Sequence, residues 1–363
     1  MHAVVDVSNV CWSQEIGPVS KLPFLPRLDR VTEAWRTLHG DGTVLVAVAD
    51  QSLFHQIPEE QREEFERRRR RGVLRVVRQA DPVLLSLARE RDLHVISRDR
   101  FVDLRRAHRW IEERPERFHS WRRDGDGLRF VPSGIVPVSG QAKSRAEEDK
   151  ELVRIGLTRR KDILRSVWRC DSRCPIAQLW PDGIRLWPQL DVRTGQPVCP
   201  EERCGRPLVR VGDRRPTREV LIERLDRAEE DAVILRFPLE ADSCLEIGRG
   251  ALAQGINLDG IGAEHRASVA RVSRKHLLIE ADAALAVSVR DLGSSHGTVV
   301  RRWEHDALGR PRPLAPGEPV RLEGLDQVVL AETVALRLSG RRHTHHLVTP
   351  VFGEEGGART VLE

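Results

Sequence analysis

The chain has 363 residues, enough for two or three domains, and its 40% hydrophobic and 32% charged content suits globular modules. No apolar run approaches the length of a membrane span, and Asp6 interrupts the first apolar stretch, so neither a membrane segment nor a signal peptide is expected and the cytoplasm is the default compartment. The formal net charge of +5, carried mostly by arginine, fits a polyanionic partner without establishing one, and the absence of tyrosine suggests a GC-rich, bacterial coding sequence.

Near the N-terminus, short apolar runs each close at or near an aspartate: 3–5 before Asp6, 44–49 before Asp50, 73–80 before Asp81 and 93–97 before Asp99. Helix-like stretches separate them, and strands alternating with helices predict a parallel sheet buried on both faces. Ligands of such sheets sit outside the carboxyl ends of the strands, so these carboxylates should gather at one edge. Gathered carboxylates repel unless a cation holds them, and hard divalent cations prefer oxygen ligands. The expected site binds Mg²⁺ or Mn²⁺, and the expected chemistry is phosphodiester hydrolysis.

Asp6, Val7, Ser8 and Asn9 read as a short polar turn that aims Asp6 and Asn9 at the edge. Asp81, followed by Pro82, also reads as a helix N-cap with proline at the first helical position. Asp99 and Asp103 share one face if 99–103 is helical, where like charges need neutralising by a metal or by Arg98, Arg100, Arg105 and Arg106. Asp50 fits the topology as a second-tier ligand. The arginine run from Arg67 to Arg71 reads equally as phosphate contacts or as a solvated run balanced by Glu59, Glu60, Glu63 and Glu64.

The runs VVDVSNV at 4–10 and VISRDRFVDL at 95–104, with Asp81 opening a helix through Leu84 and Ala88, resemble the NYN branch of the PIN-like ribonucleases, close to the Regnase-type domain. Segments 110–114 and 130–132 resemble that domain's end, so the resemblance covers most of 1–137. It implies metal-dependent endonucleolytic cleavage of RNA. Asp6, Asp81, Asp99 and Asp103 would hold the cation, directly or through water, and Asn9 would orient them. It also leaves a dimer open, since PIN-like domains often pair. Val7 stands where the family often has glycine, and Ala80 precedes Asp81 where it often has paired aspartates. Those departures keep open a non-catalytic, phospho-dependent RNA-binding adaptor. A DNA nuclease in a defence or repair system is a further alternative, because the chemistry attacks a phosphate common to both nucleic acids.

Residues 138–165 read as a linker and a helix, with the polar stretch 139–148 as the linker. Cys170 and Cys174, then Cys199 and Cys204, flank a turn at Pro181, Asp182 and Gly183 in 166–211. Two close cysteine pairs at turns can close a structural Zn²⁺ site, the alternative being buried cysteines without metal. Cys204, Gly205 and Pro207 resemble the second knuckle of a zinc ribbon, which could present Arg173, Arg185, Arg203 and Arg206 to nucleic acid or a partner. Cys11 and Cys244 stand alone and read as small buried residues. Residues 214–230 read as partly helical.

Short apolar runs and turn signals make 232–340 an all-β sandwich. The pieces LEIGRG at 245–250, VSRKH at 272–276 and DLGSSHGT at 291–298 together resemble the forkhead-associated (FHA) domain. That resemblance implies phosphothreonine recognition. Arg249 and Ser273 would hold the phosphate, Arg274, Ser295 and His296 would line the peptide site, and His276 would brace the loop. His296 departs from the family's usual asparagine. The implied partner is a phosphothreonine-containing protein or a Ser/Thr kinase. Residues 341–363 read as a disordered tail, whose Thr344, Thr349 and Thr360 invite self-docking after phosphorylation. The expected whole is multidomain: an α/β parallel-sheet nuclease domain, a small zinc ribbon and an all-β FHA sandwich.

Overall fold

The computed structural model describes all residues except 172, 175–176, 179–181, 185, 202, 226–232, 251, 253–254, 261–264, 305–306, 345–350, 353–357 and 360–363, and describes only the backbone at 351–352 and 358–359. The chain divides into two compact units, Met1–Pro137 and Val138–Glu363. No helix among the described residues is long and apolar enough to cross a membrane.

In the first unit β1 (Ala3–Asp6) leads into α1 (Val7–Trp12) and α2 (Pro26–His39). Then follow β2 (Leu45–Asp50), α3 (Leu53–Gln56), α4 (Glu59–Arg70), β3 (Leu74–Val77), α5 (Ala80–Glu90) and β4 (His94–Ile96). A 3-10 turn (Val102–Leu104), α6 (Trp110–Glu113), β5 (Phe118–Asp124) and β6 (Gly127–Pro132) complete it. The sheet order is β3-β2-β1-β4-β5-β6, parallel except for the β5–β6 hairpin. Strand side chains alternate between faces. Ala3 and Val5 therefore pack with α1, α2 and Trp35 on one side, while Val4 and Val48 pack with Leu84, Leu85 and Ala88 of α5 on the other. Burial on both faces is what made these strands visible as unbroken apolar runs.

Three local readings change. Residues 7–9 belong to α1 and not to a turn, because Asp6 itself caps that helix. Asp81 is the second residue of α5 and not its cap, since the helix opens at Ala80. The stretch 99–103 is not one helix, because Phe101 adopts the left-handed region at φ 50° and separates Asp99 from the 3-10 turn holding Asp103. The arginine run forms the end of α4, where Arg67 and Arg68 pair with Glu64, Arg68 also with Asp29, and Arg69 with Glu66. That is the charge-balanced reading.

The second unit opens with α7 (Gly140–Arg154) and α8 (Lys161–Leu164). Ser139 caps α7 by accepting the Ala142 N–H at 3.2 Å, so the polar stretch expected to be a linker is helix. β7 (Ser166–Arg169), β8 (Gln189–Leu190), β9 (Pro197–Val198) and β10 (Val209–Asp213) form two small antiparallel pairs, β7 with β10 and β8 with β9, around the four cysteines.

The sandwich follows as β11 (Thr217–Arg224), β12 (Val233–Glu240), β13 (Ser243–Gly248), β14 (Gly255–Asn257), β15 (Leu277–Ala281), β16 (Val287–Asp291) and β17 (Thr298–Arg301). After the hairpin of β18 (Trp303–Glu304) and β19 (Ala307–Leu308) come β20 (Arg312–Pro313), β21 (Pro319–Leu322), β22 (Gln327–Leu330) and β23 (Val334–Leu338). One sheet has the order β12-β11-β23-β22-β17-β20 and the other β14-β13-β15-β16-β21, with Val220, Ile222, Phe237, Ile247, Ile279, Val289, Val328 and Leu336 between them.

The segment 214–230, read as partly helical, contains β11. Its inward residues are the β-branched Val220 and Ile222, while Glu219 and Glu223 face arginines instead of water. The packed chain also runs past Gly340: Arg341 and Thr344 are buried, and Thr344 Oγ1 lies 2.6 Å from Thr217 Oγ1. Thr349 and Thr360 lie outside the described residues.

Candidate functional site

The parallel strands wind outward from β1 to β2 and β3, then return to β4 on the other side of β1. Such a reversal opens a crevice at the carboxyl ends of the two central strands. Asp6 ends β1 there, 3% exposed. Its Oδ1 accepts the Asn9 N–H at 3.0 Å and its Oδ2 accepts the Ser97 hydroxyl at 2.8 Å. Ser97 Oγ also accepts the Asp99 N–H at 3.0 Å, so one hydroxyl joins Asp6 to the loop after β4. Asn9 Oδ1 accepts the Arg98 N–H at 3.0 Å and pins the same loop to α1. Arg98 stacks on Trp121, 5.2 Å from the ring centroid, donates to Trp121 O at 2.9 Å and pairs with Glu15.

The structure thus brings Asp6, Asn9, Asp81 and Asp99 to one edge. Burial pushes the Asp6 carboxyl up to about 7; the Asn9 N–H and the Ser97 hydroxyl oppose the shift, while repulsion from Asp81 and Asp99 adds to it. Asp103 sits half-buried in the turn beyond Phe101. Ser97 lay inside the VISRD segment and was not singled out, and Arg98 was read only as one of four arginines able to neutralise Asp99 and Asp103. Their signal was position alone, immediately after a strand at the reversal point.

Among the described residues, the four cysteines are the one group of three or more His, Cys, Asp or Glu whose ligand atoms all lie within 4.8 Å of one another. The acidic edge is looser, which matches a hydrated Mg²⁺ or Mn²⁺ held through one or two carboxylates and water better than a closed cage. In the cysteine cluster, Cys170 Sγ lies 3.5 Å from Cys204 Sγ and Cys174 Sγ 3.7 Å from Cys199 Sγ. Tetrahedral thiolates at a Zn–S distance of about 2.3 Å stand roughly 3.8 Å apart, so the donor set fits Zn²⁺. Burial pushes the Cys170 thiol up to about 11 and raises Cys199 further, so ligation would have to displace their protons. Of the isolated cysteines, Cys11 is buried as expected, whereas Cys244 on β13 is exposed.

At one end of the sandwich the loops after β13, before β15 and after β16 meet. Gly248 makes this possible, since a Cβ there would lie 2.1 Å from Arg274 O. Arg249 donates from Nε to Val272 O at 2.7 Å, and its N–H bonds to Ser273 O. Ser273 Oγ accepts the Ser295 N–H at 2.9 Å, tying two loops together. Buried His276 accepts the Ser273 N–H on Nδ1 at 3.0 Å and faces Gly297 O from Nε2 at 3.3 Å, the neutral tautomer that its burial favours. Burial pushes Asp291 up, but the Thr298 hydroxyl and the amides of Ser294 and Gly293 outweigh it and hold the carboxyl low. Arg274, Ser295 and His296 are exposed around this frame.

A protein-family model, the FHA domain, matches residues 245–323. No curated protein matches the chain. Among solved structures, the chain is similar to the FHA domain of an Arabidopsis thaliana hypothetical protein, at 21% identity over 38% of this chain and 92% of that one, with a TM-score of 0.25. It is similar to the N-terminal FHA domain of Saccharomyces cerevisiae Rad53p, solved with a phosphothreonine peptide, at 14% identity over 33% of this chain and 91% of that one, TM-score 0.23. It is also similar to the A. thaliana nuclear protein-only RNase P 2, at 16% identity over 39% of this chain and 32% of that one, TM-score 0.29. The family match and the two packed sheets make the C-terminal module an FHA domain, carried in a multidomain chain with an N-terminal α/β parallel-sheet module.

Proposed function

We propose that the protein is a metal-dependent endoribonuclease whose recruitment or activity is set by phosphothreonine recognition through its FHA domain. The observation that carries the nuclease reading is Asp6: a buried carboxylate at the reversal point of a parallel sheet, pressed by Asp81 and Asp99. Asp6, Asp81, Asp99 and Asp103 would hold Mg²⁺ or Mn²⁺. The ion would supply Lewis-acid activation of water and neutralise charge on the scissile phosphate. Asn9 and Ser97 fix the Asp99 loop against Asp6, and the Arg98–Trp121 stack keeps that loop from swinging out. At the other module, the Arg249 guanidinium and the Ser273 hydroxyl would donate to the phosphate dianion, with Arg274, Ser295 and His296 lining the peptide site; Arg249 is held through Val272 O and Ser273 through the Ser295 amide. The ribbon would hold structural Zn²⁺ on Cys170, Cys174, Cys199 and Cys204.

The test is cleavage of end-labelled single-stranded RNA with Mn²⁺ or Mg²⁺, wild type against Asp99→Asn. Cutting that needs the metal and falls at least 100-fold in the variant supports the reading, and competition between matched RNA and DNA strands assigns the substrate. A second reading, a non-catalytic phospho-dependent RNA-binding adaptor, draws on the looseness of the acidic edge. RNA binding without cleavage, unchanged by either metal, selects it.

A further inference from the structure

We infer that Asp50 is a positioning residue that sets Asp81 against Asp6, and not itself a metal ligand; the inference rests on the metal-dependent reading of the acidic edge. α5 carries Asp81 but has no cap of its own, since Gln79 precedes it and makes no capping hydrogen bond. The orphan N–H of its first residue, Ala80, is accepted by Asp50 Oδ1 at 2.9 Å. An acceptor with full negative charge suits a helix N-terminus, where backbone dipoles leave partial positive charge. The other oxygen, Oδ2, accepts the Ser8 hydroxyl at 3.3 Å, and Ser8 Oγ in turn accepts the Asp50 N–H at 3.2 Å. Ser8 is the second residue of α1, whose cap is Asp6.

One carboxylate thus joins the opening turns of the two helices that begin at the acidic edge. Asp6 precedes one of these turns and Asp81 lies within the other. The support is rigid. Asp50 ends β2, between β1 and β3 in the sheet, and is in register with Val77. The next N–H, of Gln51, donates to Val77 O at 2.7 Å. Both Asp50 oxygens thus hold helix-opening groups, the Ala80 N–H and the Ser8 hydroxyl.

The experiment titrates Mn²⁺ into the full-length protein, following free Mn²⁺ by electron paramagnetic resonance and cleavage rate against metal concentration. The variants are Asp50→Asn, Asp50→Ala and Asp81→Asn. Asparagine keeps an acceptor for the Ala80 N–H, so Asp50→Asn should stay within about threefold of wild type. Asp50→Ala should weaken Mn²⁺ binding roughly tenfold or more, the range for supporting residues around a metal, with kcat recovering at saturating metal. Asp81→Asn should not recover. Hydrogen exchange at the Ala80 amide, protected in wild type and Asp50→Asn but not in Asp50→Ala, reports the contact independently of metal and of overall folding. Asp50→Asn as damaging as Asp81→Asn would make Asp50 a ligand and overturn the inference, as would an Asp50→Ala protein that binds Mn²⁺ like wild type. Wild type that binds no Mn²⁺ at all removes the metal reading, and this inference with it, even if the amide is protected.

Discussion

His94 and His119 meet with Nδ1 and Nε2 2.8 Å apart, beside Trp35. One ring must donate and the other accept, so the contact needs at least one neutral ring. Burial pushes His119 down to about 4, and repulsion from His94 and His39 adds to it. His94 and His39 are lowered as well, by burial first and the N-terminal charge next, with Glu116 opposing at His94. Between about pH 4 and 6.5 the unfolded chain holds more protons on these rings than the folded one, so stability is full above 6.5 and falls as pH drops. Allowing for water at the half-buried rings, His119 contributes roughly 1–2 kcal/mol of that slope. His119→Gln keeps a hydrogen-bonding group beside His94 and should flatten the dependence of melting temperature on pH between 6.5 and 4.5; an unchanged slope would reject the assignment. Asp6, Asp50, Asp81 and Asp99 stood out in the sequence because each follows an apolar run. The roles of Ser97, Ser8 and Arg98 did not, because a serine or arginine after a strand carries no chemical signature until the partner is known.

At the scale of elements, α7 lies on the outer face of the β12-β11-β23 surface and makes that contact with charge. Arg236 bonds Glu219 at 3.1 Å and also pairs with Glu147, while Arg341 grips Glu151 with two bonds of 2.7 Å. Glu148 of α7 takes the backbone N–H groups of Arg342 and His343, which oppose the upward shift that burial gives its carboxyl. Removing one member of such a buried set leaves the others uncompensated and typically costs about 3–5 kcal/mol. Arg341→Ala should therefore lower the unfolding free energy of this unit by about 3 kcal/mol, measured by denaturant melting. A loss under about 1 kcal/mol would mean that water replaces the guanidinium. This arrangement also explains why 214–230 read as helix. The segment is densely charged, but the partners of Glu219 and Glu223 lie further along the chain in β12, β23 and the residues after it. Local charge density cannot distinguish water from a distant arginine.

For the molecule as a whole, the three-module reading drew on apolar runs, turn signals and motif pieces. A parallel sheet was expected from apolar runs alternating with helix-like stretches, and a sandwich from short apolar runs between turn signals. In the middle the sulfurs take part in the core: Cys170, Cys174 and Cys199 pack with Ala177, Ile184 and Leu208. Small metal modules fold with their ion, so chelation of a zinc-loaded sample, or Cys174→Ser, should release Zn²⁺ and expose the ribbon to protease. The unit 1–137 should keep its own melting transition. Loss of both transitions together would show that the units do not fold independently, and a sample without bound zinc would refute the metal centre.

The family match spans 245–323, but the sandwich does not stop there. β11 and β12 precede it, and β22 and β23 follow it. A fragment expressed at the matched limits would keep only β17 and β20 of the six-stranded sheet, leaving Ile247, Ile279 and Val289 facing solvent. Such a fragment would aggregate, and a negative pull-down with it would report the choice of cloning boundaries. Deletion mapping of this chain should cut ahead of Ser139 and no earlier than after Thr344, the limits within which α7 and the residues that follow β23 stay together.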